Sequence, residues 1–228
     1  MSSQYRPKNL VTASITVDVV VFTVQDMTLK LLLTNRSNEP FKDSLALPGG
    51  FIRVGETAYN AVKRLMIQKT GVNDVFVEQL YTFDAIDRDP RDRTFSISYF
   101  AFVPEEKLKE LPQVAQLVRI DAMPRLAFDH NVIVEYAIKR ARAKLEYTNA
   151  AYSLLPKRFT LSELQSIYEV ILGESFDKRN FRKKILSLDI LDETNDIQRG
   201  RQHRPARLYN FKQTSIHGFR SPFVFKSS

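Results

Sequence analysis

The chain contains no cysteine. Disulfides, thiolate zinc sites and cysteine nucleophiles are therefore excluded. It also has no apolar run of bilayer-spanning length and no basic-then-apolar segment at its N-terminus, so a cytoplasmic protein without a membrane partner is expected. Histidine is scarce: His130, His203 and His217 show no metal-ligand spacing, and satisfied surface or capping roles are expected of them. No internal repeat, low-complexity linker or Ser-His-Asp arrangement stands out. What the chain does have is 228 residues with 43% hydrophobic content, enough for the cores of one large or two modest domains.

Its charge is uneven. The formal net charge is +8, and residues 151–228 hold 14 Lys+Arg against 8 Asp+Glu, so 14 − 8 = +6 lies in the last third. The first 150 residues hold 20 − 18 = +2. A basic C-terminal part on a nearly neutral body points to an anionic polymer as partner, with a solubilising surface as the plainer alternative.

Two parts are legible. In residues 12–34, Val, Ile, Phe and Leu alternate and cluster, predicting a hairpin that turns near Gln25-Asp26. Residues 45–50, LALPGG, predict a short strand entering a Gly-Gly turn, and residues 57–69 have helical periodicity closed by Gly71. Further strands are predicted at 75–83 and 94–103. A helix from Asp129, as N-cap, to Tyr147 would join the parts. The expected fold class is α+β: a mixed sheet between helices over residues 1–150, then a second domain over 151–228.

Residues 50–72 read GFIRVGETAYNAVKRLMIQKTGV and lay over the Nudix box, G-x5-E-x7-R-E-U-x-E-E-x-G-U, where U is a bulky aliphatic residue. Gly50, Glu56, Arg64, Met66, Gly71 and Val72 fit. The other acidic positions hold Leu65, Gln68 and Lys69. In the hydrolases this resembles, carboxylates on that helix hold divalent metal against a nucleoside diphosphate. Positions 65, 68 and 69 share one helical face, which here offers an alkyl group, an amide and an ammonium instead of the oxygen ligands hard cations want. The expectation is a binding site that no longer cuts: no enzyme, no catalytic residues, no metal and no cofactor. Glu56 and Arg64 could equally be an ion pair that shapes the loop and helix. Downstream, RDPRDR at 88–93 places three arginines between two strands. Guanidinium groups bind phosphate bidentately, although a solvated ion-pair network is the alternative.

The C-terminal third has its own pattern. Thr160 followed by Glu163 reads as a capping box, and the helix it opens stops at Gly173. Asp177 is an N-cap candidate for a second helix with Phe181, Ile185 and Leu188 on one side and Lys178, Arg179, Arg182 and Lys183 largely opposite. Residues 190–192 and 206–211 then flank QRGRQHRPAR, a basic hairpin. Helix, turn, basic helix and basic hairpin give a winged helix-turn-helix, whose second helix enters the major groove while the wing reaches phosphate or the minor groove.

Over about residues 10–212 the chain resembles the Nudix-related transcriptional regulators called NrtR. The degenerate box, RDPRDRTFSISYFA at 88–101, LAFDH at 126–130, the segment from LLPKRF through DKRNFRKKIL, and RPARLYNF at 204–211 carry the resemblance. It implies a Nudix-like α/β/α sandwich and a winged helix, acting as a homodimeric repressor of NAD biosynthesis and salvage genes on a palindromic double-stranded operator. ADP-ribose would bind the first domain as effector and release the DNA. Ligand contacts would fall at Arg36, Gly49, Gly50, Arg53, Glu56, Arg88 and Arg93, with Phe83 stacking on adenine. DNA contacts would fall at Thr160, Lys178, Arg179, Asn180, Arg182 and Lys183, and on the wing at Arg201, Arg204 and Arg207. The alternatives are an active pyrophosphatase for ADP-ribose or a related nucleotide, and a sugar-catabolism regulator of the same build.

Overall fold

β-Branched and aromatic residues dominate Ser14–Gln25, which form the central strand β1. In the computed structural model, which describes residues 10–198 and 205–219, β1 turns at Asp26 and Met27 into β2 (Thr28–Asn35). Both turn residues are left-handed, with φ of 51° and 56°, as a tight two-residue hairpin requires. The turn falls one residue later than the sequence suggests. Next come β3 (Leu45–Ala46), β4 (Gly49–Phe51), β5 (Glu78–Phe83), β6 (Thr94–Phe102) and β7 (Ala115–Arg119). The seven strands make one sheet in the order β3-β2-β1-β6-β5, with β4 added to β1 and β7 to β2. Only β1 and β6 run parallel, so the sheet is mixed. Gly49 and Gly50 are strand residues opposite Asp18 and Val17, not the turn expected of them.

Helix α1 (Ala58–Thr70) starts where Thr57 Oγ1 accepts the Asn60 N–H at 3.2 Å and ends at Gly71, whose φ of 71° suits glycine. It covers one sheet face, packing Ala61, Val62, Leu65 and Met66 against Val17, Val19 and Val21. The alternate β1 residues, Val20 and Phe22, face helix α2 (His130–Tyr147) through Ile133, Val134 and Ala137. A sheet between two helices follows directly from that period of two.

The C-terminal part contains β8 (Phe159–Thr160), α3 (Leu161–Leu172), α4 (Lys178–Ser187), β9 (Leu191–Gln198) and β10 (Ala206–Phe211). The strands pair in the order β8-β10-β9, completing a winged helix. Thr160 and Glu163 form the reciprocal capping box, and Asp177 accepts the Asn180 N–H at 2.8 Å. Phe181 and Ile185 are fully buried, whereas Leu188 is half-buried at the helix end. Strand β9 continues beyond the expected residues 190–192 because cross-strand pairing to β10 outweighs the poor strand propensity of DETND. The α2-side core runs without interruption from Val20 and Phe22 through Leu145 and Ala150 to Leu164, Tyr168 and Phe181. The winged helix is thus packed onto the sheet part through α2.

Candidate ligand cavity and nucleic-acid interface

The centre of β1 carries a carboxylate among valines. Asp18 is 6% exposed, and its neighbour across the ladder must be glycine: a Cβ at Gly49 would stand 2.2 Å from Asp18 Oδ1 and 2.5 Å from the Val17 carbonyl oxygen. Ser96, placed on the adjacent strand by the β1–β6 register, donates its hydroxyl to Asp18 Oδ2 at 2.6 Å. The Arg88 guanidinium lies 3.6 Å from the same oxygen and makes a bidentate pair with Asp129, at 3.0 and 2.7 Å. Asp129 precedes α2 as expected, but its side chain does not cap the helix; it is held by Arg88 instead. His130 is 4% exposed and accepts the Leu47 N–H on Nδ1 at 3.0 Å, which leaves its proton on Nε2, 3.5 Å from Asp18. Burial pushes the His130 pKa down, against the opposing pull of Asp18 and Asp129. The surface role expected of this histidine is therefore replaced by a buried bridging one.

Above these groups lies a cavity of about 380 Å³. Four cations line it, Arg36, Lys69, Arg88 and Arg91, against the carboxylates Asp18 and Asp89, so 4 − 2 = +2 with His130 neutral. Three of the cations already have partners. Arg36 donates to the Pro40 and Asn38 carbonyls and lies 4.6 Å from the Phe128 ring centre. Burial, then Arg91, lowers its pKa. Arg91 makes a bidentate pair with Asp89, at 3.0 and 2.7 Å, and lies 5.5 and 5.6 Å from the Phe51 and Phe128 ring centres. Arg88 has Asp129 and Asp18. Lys69 alone of the four has no ion pair or hydrogen bond among the described residues.

Of the sequence-predicted ligand residues, Arg36, Gly49, Gly50 and Arg88 border this cavity, and Arg53, Glu56, Phe83 and Arg93 do not. Glu56 is held by Arg64 at 2.7 Å through both guanidinium nitrogens that face it, and its other contact is the Arg53 N–H at 3.0 Å. The Arg64 hydrogen bonds first, and the Arg53 N–H second, hold its carboxyl down to about 2. The pair clamps the loop before α1 to the helix, and Arg64 also reaches the Phe51 carbonyl at 3.1 Å. Phe83 packs against Tyr81 and Tyr136 instead of facing the cavity. Arg93 donates to the Asp84 and Ala85 carbonyls and covers Phe95. Sequence reasoning missed Asp18 and Phe128 as cavity residues, whereas Lys69, expected to offset ligand charge directly, and Arg91, one of the three arginines of RDPRDR, do border it. A lone acid in the run VDVVVF was the signal for Asp18.

The metal of a hydrolytic Nudix site does not fit the donors present. Leu65 is buried beneath Gly50, Gln68 Oε1 accepts from Arg64 at 3.4 Å, and Lys69 is a cation. Among the described residues, no three His, Cys, Asp or Glu side chains are grouped so as to hold a metal ion.

The second charged surface is α4. Burying Phe181 and Ile185 turns Lys178, Arg179, Asn180, Arg182 and Lys183 outward, and all five are exposed. None of these four cations has an ion pair among the described residues. Thr160 does not belong to this surface: it is 5% exposed, with its hydroxyl engaged in the capping box. On the wing, Arg207 is paired with Glu193 across the antiparallel β9–β10 pair. Arg201 and Arg204 lie outside the described residues. Among the described residues no helix is long and apolar enough to cross a membrane.

Comparison with known proteins agrees with both halves. Residues 151–211 match the NrtR DNA-binding winged helix domain, and residues 14–136 match the NUDIX domain. Over 220 residues the chain is 34% identical to the ADPR responsive transcriptional repressor NtrR of Acinetobacter baylyi, covering 92% of this chain and 86% of that protein. The crystal structure of Shewanella oneidensis NrtR complexed with a 27mer DNA superposes with a TM-score of 0.78 at 35% identity, over 87% of this chain and 93% of that one. An ADP-ribose pyrophosphatase of Methanocaldococcus jannaschii is 38% identical over 108 residues, which is 46% of this chain and 64% of that enzyme. The two domains in this order, and a relative matched over nine-tenths of the chain, show that the protein belongs to the NrtR family.

Proposed function

We propose that the protein is a transcriptional repressor that binds operator DNA through α4 and the wing and is released when ADP-ribose fills the sheet-domain cavity. The observation that carries this reading is the cavity's net positive lining without a metal-ligating set, in a domain built like phosphate hydrolases. A volume of about 380 Å³ is in the range of small-molecule sites. The relative from A. baylyi is named for its response to ADPR, and the S. oneidensis relative was crystallised on DNA; both features are carried to this chain by the proposal. Because ADP-ribose is an NAD breakdown product, NAD synthesis and salvage genes are the regulated set. The repressor acts as a homodimer on a palindromic operator, which supplies two half-sites one or two helical turns apart, about 10 or 21 base pairs.

Within this reading the adenine stacks on Phe128 or Phe51, which border the cavity, and not on Phe83. The route to DNA passes through α2. Arg88 borders the cavity and holds Asp129 at the start of α2, and near the helix's other end Arg142 donates to the Ile171 carbonyl of α3 at 3.0 Å. A diphosphate drawing on Arg88 loosens its hold on Asp129, freeing that carboxylate to cap α2.

A gel shift against NAD-gene upstream regions, repeated with ADP-ribose, tests the reading. Retarded DNA released by the ligand supports it, and retarded DNA indifferent to ADP-ribose removes the effector. Hydrolysis is the second reading, favoured by the half-chain match to the pyrophosphatase. Turnover of ADP-ribose with Mg²⁺ or Mn²⁺ on the order of 1 s⁻¹, ordinary for enzymes, would establish it.

A further inference from the structure

The unpartnered cation in the cavity has a more specific consequence, which rests on the reading of that cavity as the ligand site. Lys69 lies in the last turn of α1 and is half-buried. Its position is one at which the Nudix box carries an acidic residue. Burial lowers its pKa, Asp18 opposes that shift, and Arg36 adds to it. A desolvated ammonium has three donors and normally finds a carboxylate or carbonyl. Here no ion pair or hydrogen bond among the described residues satisfies it, although Asp18 and Asp89 line the same cavity. Asp18 is engaged with Ser96, and Asp89 with Arg91.

We propose that Lys69 takes the place of the divalent cation: its ammonium neutralises the ligand's diphosphate directly, so this cavity binds a pyrophosphate-bearing nucleotide without metal. A metal ion beside Lys69 would meet its positive charge and would gain no carboxylate from Leu65 or Gln68. An ammonium also differs from a metal in what it does to water. It offers hydrogen bonds and charge but does not generate a bound hydroxide, so the same substitution that retains the diphosphate withdraws the means of attacking it. Arg36, Arg88 and Arg91 are weaker candidates for this role, because each already has an internal partner that a phosphate must displace.

The test is calorimetric titration of ADP-ribose, and separately of inorganic pyrophosphate, into the full-length protein in EDTA and in Mg²⁺. Lys69→Met keeps the alkyl stem and removes the charge; Lys69→Arg restores charge. The expected result is equal wild-type affinity in EDTA and Mg²⁺, at least a tenfold loss in Lys69→Met under both conditions, and recovery of most of it in Lys69→Arg. Thermal unfolding of each variant separates a binding loss from a folding loss; if Lys69→Met does not fold, Lys69→Gln, which also removes the charge, takes its place in both conditions. ADP-ribose binding that needs Mg²⁺, or that ignores the loss of Lys69, overturns the inference and leaves the effector reading intact. Metal-free, Lys69-dependent binding of pyrophosphate without binding of ADP-ribose overturns the effector and keeps the inference. Binding of neither ligand overturns both.

Discussion

The cavity and the basic helix use the same residue types in opposite ways. Arg88 and Arg91 in the cavity wall are already paired, with Asp129 and Asp89, while Lys178, Arg179, Arg182 and Lys183 on α4 face water with no ion pair among the described residues. The reason is dielectric. A buried charge without a partner costs several kcal/mol; Arg88, 3% exposed at its side chain, accordingly has two carboxylates, and the Arg91 guanidinium serves the buried Asp89. An exposed guanidinium is already solvated by water and waits at little cost for a phosphate. The cavity wall is thereby shaped by internal pairs, with Lys69 its one unpaired cation among the described residues, whereas the α4 cations are exposed along one face. Cations with internal partners are structural first, and the unpartnered ones indicate where a ligand is expected.

The largest effect should come from breaking an internal pair. Arg88→Ala leaves Asp129 and Asp18 without their cation, and Arg88 is only 3% exposed at its side chain. Loss of one member of such a pair costs ~3–5 kcal/mol, to be read from denaturant unfolding. A variant as stable as wild type would show that the cavity charges are not structural. On α4, Arg182→Ala should lower stability by under ~0.5 kcal/mol, as for an exposed site. It should weaken operator binding by ~1–3 kcal/mol if the side chain reads a base edge, measured by fluorescence anisotropy. Binding through this surface should also fall steeply with salt as counterions are released.

Arg207→Ala should have a smaller effect, because Glu193 already neutralises that side chain. A loss of under ~1 kcal/mol is expected, the scale of an exposed ion pair, and it should be equal on operator and random DNA. A changed operator preference would instead give the wing a reading role. The least perturbing test is a pH titration of Glu56 followed by NMR. Its folded pKa is depressed to about 2, so the clamp with Arg64 is intact at neutral pH and is lost only as the pH falls through about 2. A Glu56 titrating in the ordinary carboxylate range would mean that the clamp is not formed in solution.

Most of the architecture was legible in the sequence. The period of two in β1, the Thr160–Glu163 capping box, and Gly71 and Gly173 as helix stops are local signals, and each element formed at its expected place within a few residues. The α4 face was equally legible, since a 3.6-residue period fixes which side is buried. The cavity was not. Arg53 and Arg93 look like phosphate ligands in the sequence, but Arg93 points back to the carbonyls of its own loop, and neither borders the cavity. Asp18 on β1, Lys69 on α1 and Phe128 in the segment before α2 are far apart in the chain and meet only in the folded domain. Asp129 was read as a helix cap because its position is right; its long-range pairing with Arg88, 41 residues away, has no local signature.

The central claim, that an anion in the cavity controls DNA binding by α4, is tested most directly by titrating ADP-ribose into the free protein and into the protein–operator complex. Linkage requires the two ligands to affect each other equally: if ADP-ribose weakens operator binding tenfold, operator weakens ADP-ribose binding tenfold, about 1.4 kcal/mol. The account predicts lower affinity for ADP-ribose in the operator complex by the same factor that the ligand imposes on DNA. Equal affinities in the two titrations would contradict it.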